Sequence, residues 1–185
     1  DEWKVFSNDD IYNFDQVIIS TGPWSKNLLS KLGYNIPLAW ERGYHHHYST
    51  EKKISINPAI HDVEGGFVYS SNGSEVRITS GVELNFLQAS QNEDQINESI
   101  SKLKKIIPLS KKLTDKVWLG SRPTTIDSMP IIGKASKHKN LWFNFAHNHI
   151  GLSTSAGSAK ILVEMIEKKK SSINVNPFSP SRFNL

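Results

Sequence analysis

The run Asp15-Gln16-Val17-Ile18-Ile19-Ser20 is dense in β-branched residues and stops abruptly at Thr21-Gly22-Pro23. A short apolar run bounded in this way reads as a strand buried on both faces, the habit of parallel sheets. Trp24 to Lys31 then reads as a short helix, with Leu28, Leu29 and Leu32 on one side and Gly33 placed to end it. Strand, glycine turn and helix in that order call for an α/β layer, because a parallel strand needs a crossover and a helical cover.

The texture then changes. From Arg42 to Phe86 the chain falls into short segments, GYHHHYS, GFVYS, EVRIT and GVELNF, separated by Glu64-Gly65-Gly66 and Ser71-Asn72-Gly73-Ser74. These predict an antiparallel sheet with glycine turns. Ile96, Ile100, Leu103 and Ile107 recur at helical spacing before Pro108, so one amphipathic helix is expected to cover that sheet. Val117-Trp118-Leu119 and Leu141 to Phe145 read as strands. Gly151 to Lys170 reads as a helix whose apolar face is Leu152, Ala156, Ala159, Leu162 or Val163, and Ile166. Lys168, Lys169 and Lys170 would suit the negative end of its dipole. The tail from Ser171 to Leu185, with Pro177 and Pro180, is expected to be irregular. The expected class is therefore α/β with an α+β insertion.

Composition narrows the chemistry. A hydrophobic content of 37% over 185 residues can build one domain or two unequal lobes. No run of about 18 apolar residues occurs, so no membrane span is expected. The opening DEWKVFSNDD lacks the regions of a signal peptide, which predicts a cytoplasmic address. With no cysteine, disulfides and thiolate chemistry are excluded, and redox work would need a cofactor. The net charge of +4 is spread along lysines, and arginine is confined to Arg42, Arg77, Arg122 and Arg182. No dense nucleic-acid patch results. His45, His46 and His47 are consecutive, and His147 and His149 flank Asn148. Without cysteine or an HExxH pattern they are expected to be strand and loop histidines, and no metal site is expected.

Three separated segments carry a family resemblance. The first is Val17 to Ser25, VIISTGPWS. The second, Gly120 to Gly133, GSRPTTIDSMPIIG, follows the pattern G-x-R-P-x-T-x-D-x-x-P-x-I-G almost position for position. The third is Asn144 to Ser153, NFAHNHIGLS. Together they resemble the D-amino-acid oxidase and dehydrogenase superfamily of FAD-dependent oxidoreductases, with D-amino-acid dehydrogenase nearest. Arg42-Gly43-Tyr44-His45 resembles that family's entry into the substrate domain, and PFSPSRF its ending. The family usually has Gly-His-Gly where this chain has Ala146-His147-Asn148, which implies altered geometry there.

The resemblance implies the C-terminal half of such an enzyme. Residues 1–38 and 116–170 would be portions of a Rossmann-like FAD-binding domain, 39–115 an antiparallel-sheet substrate domain, and 171–185 a C-terminal tail. The sequence contains no G-x-G-x-x-G, so the dinucleotide-binding half would be absent and FAD would be held weakly. Arg122 would bind the substrate carboxylate, for which a planar guanidinium offers two parallel hydrogen bonds. Thr21, Gly22, Trp24, Asn148, His149, Ile150, Gly151, Leu152 and Ser153 would contact FAD, and His147 is a further candidate at the reacting centre. Tyr44 and Tyr69 could line the substrate pocket.

The implied reaction oxidises a D-amino acid to its imino acid by hydride transfer to flavin N5, the flavin supplying the electron chemistry. Electrons would pass to a quinone or another acceptor, and peripheral membrane association is compatible with that. A glycine or sarcosine oxidase using oxygen is the alternative enzyme, and a noncatalytic binding or structural fragment is the alternative of another class.

Overall fold

A computed structural model describes residues 2–51 and 53–183. Two compact units are present, one made of residues 1–40 with 122–185 and the other of residues 41–121. The chain starts with a hairpin of β1 (Trp3–Ser7) and β2 (Asp10–Phe14), then runs through β3 (Val17–Ile19), a 3-10 turn at Gly22–Trp24 and α1 (Ser25–Ser30). The long strand β4 (Leu38–Thr50) leads into the second unit, which holds β5 (Ile60–Asp62), β6 (Phe67–Asn72), β7 (Glu75–Thr79), β8 (Glu83–Leu84), α2 (Asp94–Leu103) and β9 (Leu109–Lys112). Strand β10 (Trp118–Thr125) returns the chain to the first unit for β11 (Ile131–Lys134), β12 (Leu141–Phe145) and α3 (Gly151–Ile166). The α/β class with an antiparallel insertion holds.

In the first unit the sheet order is β11-β12-β3, with β12 antiparallel to β11 and parallel to β3. Alternation along β11 and β12 divides the core. Ile131, Phe143 and Phe145 pack with Leu29, Tyr34 and Ile36, while Ile132 and Trp142 pack with Ile161 and Leu162 of α3. Burial on both faces therefore belongs to β12. Strand β3, expected to be buried on both faces, leaves Ile18 47% exposed at the sheet's edge. Leu29 fills the core but Leu28 is exposed, so α1 buries a narrower stripe than its leucines suggested.

Two expectations for α3 are corrected. Of the expected apolar face Leu162 and Ile166 pack against the sheet, but the core stripe is Ser158, Ile161 and Leu162, while Leu152 is 91% exposed. The helix carries more than one apolar stripe, and the sheet takes the one centred on Ile161. It also stops at Ile166, because Lys168 adopts a left-handed φ of 56° and the Lys168 and Lys169 amides turn back to Met165 and Glu164. The three lysines thus lie beyond the last turn. The tail is more ordered than expected, with 3-10 turns at Asn176–Phe178 and Pro180–Phe183.

The second unit is built on an antiparallel sheet in the order β10-β4-β7-β6-β5, with β8 and β9 also paired to β4. Helix α2 lays Ile96, Ile100 and Leu103 against Tyr44, Tyr48, Phe67, Tyr69, Val76 and Ile78. It ends at Leu103 rather than reaching Ile107, although Ile107 still joins this core. Gly73, at φ 68°, makes the tight turn between β6 and β7. The hairpin β1–β2 and the strands β5, β9 and β11 are short, or exposed along much of their length, and lack a strong period in the sequence.

Leu103 is fully buried at the centre of the α2 contact. Leu103→Ala is expected to destabilise the second unit by about 3 kcal/mol through lost transfer energy and a residual cavity. Chemical denaturation should show the loss as a lower midpoint, and a change below about 0.5 kcal/mol would contradict this packing.

Candidate functional site

Trp118, Gly120 and Arg122 alternate onto one face of β10. The Trp118 ring stacks on His45, with centroids 4.5 Å apart and planes 14° from parallel. A side chain at Gly120 would collide with that indole, so glycine is what lets the ring lie over the strand. The His45 imidazole is lowered to about 4, first by burial and then by Arg77, whose Nη2 lies 3.1 Å from its Nδ1. His45 is therefore neutral at pH 7.

Arg122 is half-buried, and among the described residues its guanidinium has no hydrogen bond or ion pair. The other arginines are engaged. Arg42 donates to the Ala89 and Ser90 carbonyls and lies 3.6 Å from Glu83, Arg77 meets His45, and Arg182 meets Asp127. Holding a guanidinium partly desolvated without an anion is costly, and an incoming carboxylate relieves that cost.

The turn after β10 is tied down by its own motif. Thr125 Oγ1 donates to the Met129 carbonyl at 2.7 Å, and the Met129 amide donates to Asp127 Oδ1 at 3.1 Å. Arg182 from the tail donates through Nε to Asp127 Oδ2 at 2.7 Å and through Nη2 to the Met129 carbonyl at 2.7 Å. The Arg182 bond is the main cause that holds the Asp127 carboxyl down at about 2. The second family-like segment and the ending are thus one ion-paired assembly.

At the head of α3 the turn is built from two left-handed steps. Ala146 and Asn148 take left-handed φ values of 64° and 51°, the conformation glycine would adopt. His147 between them points inward, with Nε2 2.9 Å from Ser158 Oγ, and burial lowers its pKa so that the ring is neutral at pH 7. It forms part of the wall of a cavity of about 460 Å³ shared with Met129, Ile132, Ser158 and Phe178. The Asn148 amide is used at both ends. Thr124 Oγ1 donates to its Oδ1 at 2.8 Å, and its Nδ2 donates to the Ser128 carbonyl at 2.8 Å. The Ile150 amide returns to the His147 carbonyl, and Gly151 starts the helix where a side chain would come within 3.2 Å of His147 Cβ. His149 lies between these positions.

Parallel pairing brings the carboxyl ends of β3 and β12 to one end of the sheet. Gly22 follows β3 at φ 54° with open space where a side chain would stand, and Thr21 Oγ1 lies 3.0 Å from Ser25 Oγ. Trp24, Ile150, Leu152 and Ser153 are exposed at that end. Helix α3 starts without a side-chain cap and with no acidic residue in its first turn, so its positive pole is not offset. Open glycine, uncapped helix head and exposed apolar side chains are features that would suit one part of an FAD site, where the helix amides would favour negative charge.

Tyr44 and Tyr69, proposed from sequence as pocket walls, pack on the α2 side of the sheet. The Tyr44 hydroxyl donates to Glu83 Oε2 at 2.5 Å and receives the Asn92 amide at 3.1 Å. His46 shares that face and is fully buried, whereas His45 and His47 lie on the opposite one, where His47 meets Glu75. Among the described residues, no group of three or more His, Asp or Glu side chains is placed to hold a metal ion. No helix there is long and apolar enough to cross a membrane.

These features define a flavoprotein-type α/β unit with an antiparallel-sheet insertion. The profile of the FAD dependent oxidoreductase family DAO matches residues 1–165, and the chain belongs to that family. It is 30% identical over 179 residues to a D-amino-acid oxidase of Bradyrhizobium diazoefficiens, covering 91% of this chain and 41% of that protein. A D-amino acid dehydrogenase of Dechloromonas aromatica is 27% identical over 158 residues, 84% of this chain and 38% of its own length. The chain thus spans about two-fifths of the curated relatives it matches. Among solved structures, glycine oxidase from Geobacillus kaustophilus superposes with a TM-score of 0.78 at 17% identity, covering 95% of this chain and 47% of that one. L-proline dehydrogenase from P. horikoshii gives 0.79 at 21% identity, covering 97% and 50%.

Sequence reading missed the Asp127–Arg182 pair, although both residues lie in family-like segments, and the Trp118–His45 stack, for which the only signal was glycine at 120. The ion pair sets a pH test. Because the folded pKa of Asp127 lies below its ordinary value, its contribution is present above about pH 4 and fades as pH falls toward 2. Asp127→Asn should cost about 1 kcal/mol at pH 6, allowing for solvent screening of the partly exposed carboxylate, with the gap closing toward pH 2. A gap independent of pH, measured by unfolding across that range, would contradict the pair's role.

Proposed function

We propose that this chain supplies the substrate-carboxylate site and part of the cofactor site of an FAD-dependent oxidoreductase that converts a D-amino acid to its imino acid. The observation that carries this reading is the half-buried Arg122 guanidinium, the arginine without a protein partner among the described residues. Its fork accepts an α-amino carboxylate through two parallel hydrogen bonds and so fixes which face of the α-carbon is presented. Pro123, buried beside it, limits backbone freedom at that point.

Thr21, Gly22 and Trp24 would hold the cofactor from β3, and residues 149–153 would hold it from the head of α3, whose amides favour negative charge, while the Asn148 side chain is bonded to Thr124 and Ser128 instead. A flavin held there would supply the hydride-accepting chemistry for the substrate α-carbon. His147, neutral and bonded to Ser158, braces the turn beneath the helix head. Tyr44 and Tyr69 back the strands that form the opposite sheet face. The electron acceptor is a quinone or another carrier, and the names of the relatives include both oxidase and dehydrogenase.

Anaerobic mixing of the flavin-loaded intact protein with separate D- and L-amino acids tests the reading. Bleaching of the flavin band near about 450 nm by D enantiomers is expected. Arg122→Ala should raise KM by roughly tenfold or more, the worth of a charge-assisted hydrogen bond of about 1.5 to 3 kcal/mol, with flavin content unchanged. An unchanged KM, or no bleaching with any amino acid, would oppose the reading. Peroxide formation in air separates an oxidase from a dehydrogenase.

A further inference from the structure

Asn148 does a job its neighbours do not. It is one of two non-glycine residues that give the turn before α3 its left-handed steps, and asparagine tolerates that conformation better than most side chains. Its carboxamide oxygen receives the Thr124 hydroxyl at 2.8 Å, its nitrogen donates to the Ser128 carbonyl at 2.8 Å, and its backbone amide reaches the Pro123 carbonyl at 3.3 Å. Pro123 and Thr124 directly follow Arg122 on β10. Ser128 stands in the turn that Asp127 and Arg182 lock from the other side, itself at φ 58°. Three bonds from one residue therefore join the Arg122 strand, the following turn and the head of α3, all within one compact unit.

We infer that Asn148 is a positioning residue, which sets the placement of the Arg122 guanidinium against the head of α3 through Thr124 rather than by touching the cofactor. Each end of its amide makes a bond within the chain, which fixes the side chain toward Thr124 and Ser128 rather than leaving it free to turn to a flavin. Glycine at this position would supply the backbone conformation without the bridge. Aspartate would keep the acceptor for Thr124 and lose the donor to Ser128. The inference rests on the proposed role of Arg122 as the carboxylate holder. Because a carboxylate bound two-pronged by a guanidinium is sensitive to sub-ångström displacement, loosening this bridge acts on substrate affinity and orientation before it acts on folding.

The test is a double-mutant cycle on the flavin-loaded intact protein with Asn148→Gly, Thr124→Val and the pair, reading the dissociation constant of acetate and KM for an oxidised amino acid. Each single variant is expected to weaken acetate binding and raise KM on the order of fivefold to tenfold, with flavin content unchanged. The double variant should be no worse than the weaker-binding single variant. Thr124→Ser, which keeps the hydroxyl donor to Asn148 Oδ1, should recover at least half of the loss seen with Thr124→Val. Flavin loss with Asn148→Gly but not with Thr124→Val would overturn the inference in favour of direct cofactor contact. Additive effects, or a lowered Tm with acetate binding unchanged, would overturn it as mere structural support. Failure of the unsubstituted protein to bind acetate, or acetate binding indifferent to Arg122→Ala, would remove the Arg122 reading on which it rests. Acetate binding that needs Arg122 but ignores Thr124→Val would sink the positioning role alone.

Discussion

The pairing of β12 with β3 is the constraint on which the rest depends. Parallel strands cannot be joined by a hairpin, so more than a hundred residues pass between Val17–Ile19 and Leu141–Phe145, and the antiparallel unit lies within that crossover. The same pairing sends both strands toward one end of the sheet, where Thr21-Gly22 and the turn 146–150 emerge together. The cofactor site we propose at this end follows from the strand direction rather than from any single side chain, since open α/β sheets take ligands at the carboxyl ends of their strands.

Charge is distributed with economy. Arg42 is fully enclosed by carbonyls and Glu83, and Arg182 binds a turn to the tail. His147 and His45 are kept neutral, chiefly by burial. Against that background Arg122, half-buried and unengaged among the described residues, is the guanidinium we propose for the substrate carboxylate. Its neighbours on the same strand are tied on: Pro123 and Thr124 to Asn148, and Thr125 to Met129. The guanidinium sits on a braced strand rather than a loose loop, which suits a site that must orient a small substrate.

Much of the fold was legible because strong periods and glycine turns mark it. The strand LWFNF, the hairpin around Gly73 and the stripe Ile96, Ile100 and Leu103 all form where their patterns place them. The two-faced burial expected of β3 failed because its run is only three residues of strand at a sheet edge. The α3 stripe was misjudged because a helix of small and apolar residues has several faces a sheet could accept. The turn at Ala146-His147-Asn148 shows a different limit. Both residues flanking His147 adopt the left-handed conformation, and the hydrogen bonds that hold Asn148 there come from residues about twenty positions away in sequence. No local pattern announces such contacts.

The most direct measurement compares kcat/KM for a D-amino acid and for its carboxamide, in the unsubstituted flavin-loaded protein and in Arg122→Ala. If Arg122 holds the carboxylate, the unsubstituted protein prefers the acid by on the order of tenfold or more, and that preference collapses in the variant because the group recognising the charge is gone. If the preference for the acid survives intact in Arg122→Ala, some other group reads the carboxylate and the account is wrong.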